Sequence, residues 1–294
     1  MTFVHLILIA VAVVLLIAGV KYYRRVKEKK SWKDITLPMP EKLRTDIIYG
    51  YYSALDGNWA RIKDHVNMFF YTWFSHESEL IDIMRNTTVS IVVDMAPFVN
   101  FRVNPTDKKI ICHPDAAKNL REFFTKLRNE GVLHRLTHIV VNDEPNLFVQ
   151  SAEEHLKQIQ AVKRVTAEFP ELSNSRLICI YGRGQPFWNI GEFDTVGVDD
   201  YDQKSMSLTR GEHARLMKEV QSHQRTMLVP GPAFGHDPQP WVAYAHSHPE
   251  VEMVASFLWF DHPDYKDVDF TGLEARPKEF QDKWIAAAHE FMQK

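Results

Sequence analysis

The chain has 294 residues, 45% of them hydrophobic and 25% charged, with 35 Lys and Arg against 38 Asp and Glu for a net charge of −3. That composition belongs to a globular protein with a sizeable core, and it supplies no general positive field to hold a polyanion, which argues against a nucleic-acid partner. Two cysteines, Cys112 and Cys179, match no paired metal-binding spacing and allow one disulfide at most.

Residues 2–20 contain no Lys, Arg, Asp or Glu and are dominated by Leu, Ile, Val and Ala. The run is about as long as the ~20 residues needed to cross a bilayer. No positive charge precedes it, as a cleavable signal peptide would require, so an uncleaved N-terminal transmembrane helix is expected, with the lipid bilayer as a partner. Lys21, Arg24, Arg25, Lys27, Lys29 and Lys30 follow at once, and the positive-inside rule then leaves the body cytoplasmic. The same cluster would also serve as a solvated linker touching anionic head groups. Asn86-Thr87-Thr88 is a formal glycosylation acceptor that would matter only on the other side of the membrane. The division expected is an anchor over residues 1–20, a basic juxtamembrane segment and linker over 21–41, and one domain over 42–294.

Beyond Leu37-Pro38-Met39-Pro40 the pattern becomes short apolar runs separated by longer amphipathic stretches. Strands are predicted over 46–52, 66–73, 89–94, 138–142, 176–181, 195–200, 226–229 and 254–260. Helix-like segments lie between them, the clearest over 115–130, 152–169, 210–222 and 277–292. Runs such as Ile139-Val140-Val141 are continuously apolar, as in parallel strands covered on both faces. Eight such units in roughly 250 residues predict an α/β fold, a (β/α)8 TIM barrel. A doubly wound open sheet is the rival, but no GxGxxG follows the first strand, and Gly182-Arg183-Gly184 lacks a third glycine.

A barrel builds its site from the residues that follow its strands. Here those positions hold Tyr51 and Tyr52, with Asp56 and Trp59 nearby, then Tyr71, Trp73 and His76, then Asp94. Asn142, Asp143, Glu144 and Pro145 follow the fourth strand, and Tyr181 and Arg183 the fifth. Asp199, Asp200, Tyr201 and Asp202 follow the sixth, and Trp259, Asp261 and His262 the eighth. Flat rings beside carboxylates suit a carbohydrate: the rings cover the C–H faces of a pyranose, the carboxylates bind hydroxyls, and two acids carry out proton and charge work. Tyr51, Tyr71, Trp73, Asp94, Tyr181, Tyr201, Trp259 and Asp261 are the expected carbohydrate-binding residues.

Asn142-Asp143-Glu144-Pro145, together with Asp194-Thr195-Val196-Gly197-Val198-Asp199-Asp200-Tyr201, resembles the (β/α)8 glycoside hydrolases, in particular the clan whose acid/base glutamate follows Asn or Asp at the end of the fourth strand. Trp259 stands where many such barrels floor the sugar site with tryptophan. The resemblance runs over roughly residues 45–290 in element order and implies a glycosidic-bond hydrolase with Glu144 as general acid. The clan's nucleophilic glutamate at the end of the seventh strand has no counterpart in Leu228-Val229-Pro230-Gly231-Pro232. Asp200 is the expected partner of Glu144, across a gap that suits inversion better than retention. A substrate N-acetyl group could replace the enzyme nucleophile, as in chitinase-type barrels, which Tyr201-Asp202 and Gly50-Tyr51-Tyr52 faintly resemble. Asp143, beside Glu144, would raise its pKa.

Blander roles compete for the same residues. Asp143 to Asn146 could cap a helix, the sixth-strand aspartates could form an exposed turn, and single aromatic rings are more often packing than platform. Without a seventh-strand carboxylate, a catalytically inactive glycan-binding or scaffolding barrel is the alternative. His246-Ser247-His248 reads as surface, no metal site is expected and a metal-dependent hydrolase ranks third. No cofactor is called for, since neither a phosphate-binding loop nor a serine-hydrolase elbow occurs.

Overall fold

The computed structural model describes residues 43–52, 59–72, 76–104, 109–199, 211–259 and 271–293. The expected transmembrane span and the linker lie outside them, as do Asp56, Trp73, Asp200, Tyr201, Asp202, Asp261 and His262. Among the described residues no helix is long and apolar enough to cross a membrane.

The strands are β1 Ile48–Tyr51, β2 Met68–Tyr71, β3 Ser90–Asp94, β4 Leu136–Asp143, β5 Arg176–Tyr181, β6 Thr195–Asp199, β7 Arg225–Val229 and β8 Val251–Ser256. They form one parallel sheet in the order β1-β8-β7-β6-β5-β4-β3-β2. Asn67 joins the two ends of that order. Its backbone N–H donates to Tyr49 O (3.0 Å), its Oδ1 accepts from Tyr49 N (2.6 Å), and its Nδ2 donates to Ile47 O (3.1 Å). The side chain thus satisfies backbone groups that a ladder would otherwise take, and the sheet becomes a (β/α)8 barrel.

The interior is packed. Gly50 and Gly197 sit on inward positions where a Cβ would press on the Met68 and Met227 backbone oxygens at 2.8 and 3.1 Å, so glycine makes room for the two methionine side chains. The end of the barrel away from the strand C-termini holds charge instead. Glu252 Oε1 accepts from Arg176 (2.7 Å) and lies 3.3 Å from His138 Nε2, while Glu252 Oε2 accepts from Thr195 Oγ1 (2.9 Å). Burial alone would push this carboxyl up, but the His138 hydrogen bond and the neighbouring His138 and Arg176 charges hold it below the ordinary glutamate value.

The outer layer includes α1 Glu77–Asn86, α2 Ala116–Asn129, α3 Ala152–Thr166, α4 Gln239–Ser247 and α5 Lys278–Met292. Ser151 caps α3 by accepting from Glu154 N (3.2 Å). Gly131 (φ +73°) ends α2 in a Schellman motif, with Val132 N donating to Leu127 O and Gly131 N to Arg128 O. Against β1, Phe291 of α5 stacks on Tyr49 at 5.1 Å.

Differences from the expected elements have local causes. The fourth strand runs longer than expected; the eighth ends at Ser256 and begins at Val251, earlier than expected because Glu252, polar but paired inside the barrel, disguises its start. α1 is not among the clearest expected helices; α4 takes in the helix-like stretch around His246 and carries Pro240 in its first turn, a position where proline is tolerated. Of the expected helix over 210–222, the described residues keep Glu212–Leu216. His246 is buried rather than on the surface, accepting from Arg44 N at 2.9 Å with its other nitrogen 3.0 Å from Glu290 O.

Candidate active site

Strand register decides which side chains reach the mouth. In a parallel sheet, laterally paired residues face the same way and alternate along each strand. From β3 to β4 the inward set pairs Val92 with His138 and Asp94 with Val140. β4 then carries a bulge: Val140 pairs with Ile178, but Asn142 pairs with Cys179 and Asp143 with Ile180. One extra residue changes the alternation. Asn142 therefore turns to the helix layer, where its Nδ2 donates to Gln158 Oε1 of α3 (2.7 Å), and Asp143 turns inward.

Tyr52, Thr72, Asp94 and Asp143, from the ends of β1 to β4, share a cleft of about 400 Å³ with Asn100 and Arg102. The Tyr52 hydroxyl donates to Asp143 Oδ2 at 2.6 Å, and Asp143 Oδ1 has no hydrogen-bond partner among the described residues. Asp94 is 2% exposed, and its Oδ1 accepts from Ala96 N at 2.9 Å. Burial raises Asp94 to about 7; the Ala96 N–H opposes the shift and the Asp143 charge adds to it. Burial likewise raises Asp143 to about 6, against the Tyr52 hydroxyl and the Glu144 backbone. Two neighbouring carboxyls that resist ionisation near neutrality can hold and release a proton there. Tyr52 is itself pushed far up, first by burial and then by Asp143, so it remains a donor. Asp199, buried at the end of β6, shares the inward phase of Thr195 and Gly197.

Glu144 follows the bulge with left-handed backbone (φ 45°, ψ 47°), an uncommon state for a side-chain-bearing residue and one that gathers at functional sites. It starts the short helix Pro145–Phe148, but its side chain makes no capping hydrogen bond. The carboxyl reaches toward the end of β5, where a Cβ on Gly182 would lie 3.2 Å from Oε1 and run into Leu147. Asn146 clamps that turn, with Nδ2 donating to Gly182 O and Oδ1 accepting from Gly182 N, each at 2.8 Å.

The expected aromatic residues that the structure describes lie elsewhere. Tyr51 packs against Trp259 (4.9 Å) and His65 (5.7 Å), and Trp259 is 6% exposed. Tyr71 alternates with inward Phe70 and Thr72 and is buried facing outward, beside Glu77 of α1. The Tyr181 hydroxyl donates to Trp188 O (2.7 Å). Thus Asp94 and Asp143 come together, whereas Tyr51, Trp259, Tyr71 and Tyr181 do not join them. At the end of β7 the chain passes through Pro230 and Gly231 into the turn Pro232–Phe234 without a carboxylate. Among the described residues no group of three or more His, Cys, Asp or Glu side chains is arranged to hold a metal ion.

Tyr52, Thr72 and Asp199 were not singled out as binding or catalytic residues from sequence. Alternation counted back from Asp94 and Thr195 would have found them. The buried aspartates make stability depend on pH. A folded-state pKa raised above the unfolded value contributes stability below the unfolded pKa of about 3.9, and that contribution is lost as pH rises through about 7 for Asp94. Asp94→Asn keeps an oxygen for Ala96 N and is expected to melt above the native chain near about pH 8.5 and by clearly less near about pH 5. Thermal unfolding followed by circular dichroism checks this; an equal gap at both values would reject it.

No family model matches the sequence, and no curated protein matches it. The fold is shared with solved structures of carbohydrate-active enzymes. A GH2 β-galacturonidase from Eisenbergiella tayi bound to galacturonate superposes with a TM-score of 0.56 at 10% identity, over 86% of this chain and 52% of that one. A GH5_18 protein from Bifidobacterium longum subsp. longum gives 0.54 at 11% over 85% and 80%. Saccharomyces cerevisiae Gas2p in complex with laminaritriose and laminaritetraose gives 0.53 at 10% over 85% and 64%. The chain spans about half the length of the galacturonidase. At these identities the likeness is one of fold, the (β/α)8 barrel.

Proposed function

We propose that the protein is a glycoside hydrolase that cleaves its bond in the cleft at the ends of β1 to β4. The observation that carries this reading is the pair Asp94 and Asp143, facing one cavity with both carboxyls raised toward neutrality. Glycoside cleavage needs one group that donates a proton to the departing oxygen and a second carboxylate for water or the developing positive charge. Asp143 is the donor that the geometry supports, and Glu144, one residue on, is the donor that the family resemblance implies. A panel of chromogenic glycosides and natural oligosaccharides incubated with the full chain tests the reading, with Asp143→Asn and Glu144→Gln side by side. Turnover lost in the first and kept in the second supports Asp143; the reverse assigns the proton to Glu144. Turnover indifferent to both sinks the assignment.

A second reading, a glycan-binding barrel without catalysis, is favoured by the missing carboxylate at the end of β7. It predicts retention on a glycan column with no reducing ends released.

The body is held at a membrane by residues 2–20 and lies on the cytoplasmic side, a reading supported by the uncharged apolar run and the six basic residues that follow it. The chain is expected to sediment with membranes and resist carbonate extraction. In sealed vesicles with the cytoplasmic face inside, the body should survive added protease; digestion there would reverse the orientation.

A further inference from the structure

The cleft has a wall that the proposed chemistry does not use. Between β3 and α2 the chain makes a small antiparallel ladder, Asn100–Phe101 with Ile111–Cys112. Both arms are fixed to the barrel. Asn100 Nδ2 donates to Asn142 Oδ1 (3.2 Å), Gln158 Nε2 donates to Asn100 Oδ1 (2.8 Å), and Ile110 N donates to Phe148 O (2.9 Å). The ladder is thus an anchored part of the site.

Its chemistry is unlike that of the rest of the surface. The large apolar side chains exposed among the described residues are Phe101 (36%), Val103 (62%) and Phe148 (43%), and all three belong to this wall or the segment paired with it. Phe148 lines the cleft. Arg102 lines it as well, the one basic side chain to do so among the described lining residues. Several exposed arginines elsewhere are answered by carboxylates, Arg61 by Glu274, Arg121 by Glu168 and Arg128 by Glu171, whereas Arg225 meets only the Pro249 carbonyl. No described residue makes an ion pair or hydrogen bond with the Arg102 side chain.

From this juxtaposition we propose that the cleft selects a sugar bearing a carboxylate, a uronic acid residue, with Arg102 binding the carboxylate and Phe148 covering a C–H face of the ring. The inference rests on the hydrolase reading and specifies its substrate class. A planar guanidinium matches a carboxylate through two parallel N–H···O bonds, and an exposed ring at a cleft wall suits the apolar face of a pyranose. The ligand's charge would be drawn to Arg102 in the same cleft as Asp94 and Asp143, with its glycosidic oxygen left to the two acids. A neutral sugar would leave the guanidinium unanswered.

Titration calorimetry on the detergent-solubilised full chain tests this with the methyl glycosides of glucuronic and galacturonic acid, those of glucose and galactose, glucosamine, and glucose 6-phosphate. The uronides are expected to bind about tenfold or more tighter than their neutral counterparts. Arg102→Gln should bring them down to the neutral level while leaving neutral-sugar affinity and melting temperature unchanged. Equal binding of neutral sugars, preference for glucosamine or the phosphate, no binding of any probe, or uronide affinity indifferent to Arg102→Gln would each overturn the proposal. Calorimetry reads binding without turnover. A chain that binds uronides and cleaves nothing therefore fails the hydrolase reading alone, and one that cleaves neutral glycosides fails this proposal alone.

Discussion

Glu252→Ala is expected to destabilise the barrel by about 3–5 kcal/mol, the range for breaking a buried charge pair from one side. Its carboxylate lies inside the ring, 15% exposed, and answers Arg176 and His138 together while accepting from Thr195. Removing it leaves the guanidinium with the Asp194 carbonyl at 3.2 Å and no carboxylate. For a domain of this size the loss corresponds to a fall in melting temperature on the order of 10 °C. Glu252→Gln preserves shape and an oxygen for Thr195 and should fall between the two. The pH dependence has the opposite sign to that of Asp94. Because Glu252 is depressed in the folded state, its contribution is present above the unfolded pKa, near about 4.3, and is lost as pH falls through the lower folded value. The gap between native chain and variant, read by denaturant unfolding, should therefore narrow below about pH 4. A gap that persists undiminished in acid would show that packing, not charge, accounts for the loss.

Asp143→Asn is expected to lower turnover by about two to four orders of magnitude, the usual contribution of a positioned general acid. Asparagine fills the same space and keeps an oxygen for the Tyr52 hydroxyl, so the fold is kept, and at neutral pH and above the melting temperature should hold or rise, as for Asp94→Asn. The pH profile separates loss of proton transfer from loss of shape. With Asp143 raised to about 6 and Asp94 to about 7, the pair holds protons jointly across the neutral range, and the native rate should fall on the alkaline side of that range. In the variant that fall should flatten, because no proton remains to be lost from position 143. A variant with the full rate at every pH would show that the proton comes from elsewhere.

The eight strands were legible because each is a short apolar run, and a strand buried on both faces needs little else. Asp94 was legible for the same reason, as the polar residue at the end of such a run. Facing was harder. Asn142, Asp143 and Glu144 stand in a row, and nothing in their chemistry announces that β4 takes an extra residue between Val140 and Asn142. Adjacent Tyr51 and Tyr52 read alike, yet alternation sends one into packing with Trp259 and the other to Asp143. Glu252 was hidden because a charged residue in a strand looks like a strand boundary until its partners, 76 and 114 residues away, are placed beside it. Arg102 gave no signal at all: it lies in a segment with no clear periodicity, and only the ladder carries it to the cleft.

The irregularity in β4 acts like a frameshift within a single strand, leaving the sequence intact while changing which side chain the interior reads. It presents an aspartate to the cleft, where the sequence resemblance implies the glutamate one residue on, a carboxyl on a stem one carbon longer. Under the proposed role of Asp143, a bond served by that group would have to reach the level of Ile180 and of the Tyr52 phenol that donates to the acid. Reach, and therefore how deeply a guest would have to enter, would then be set by one surplus residue together with the short stem it turns inward.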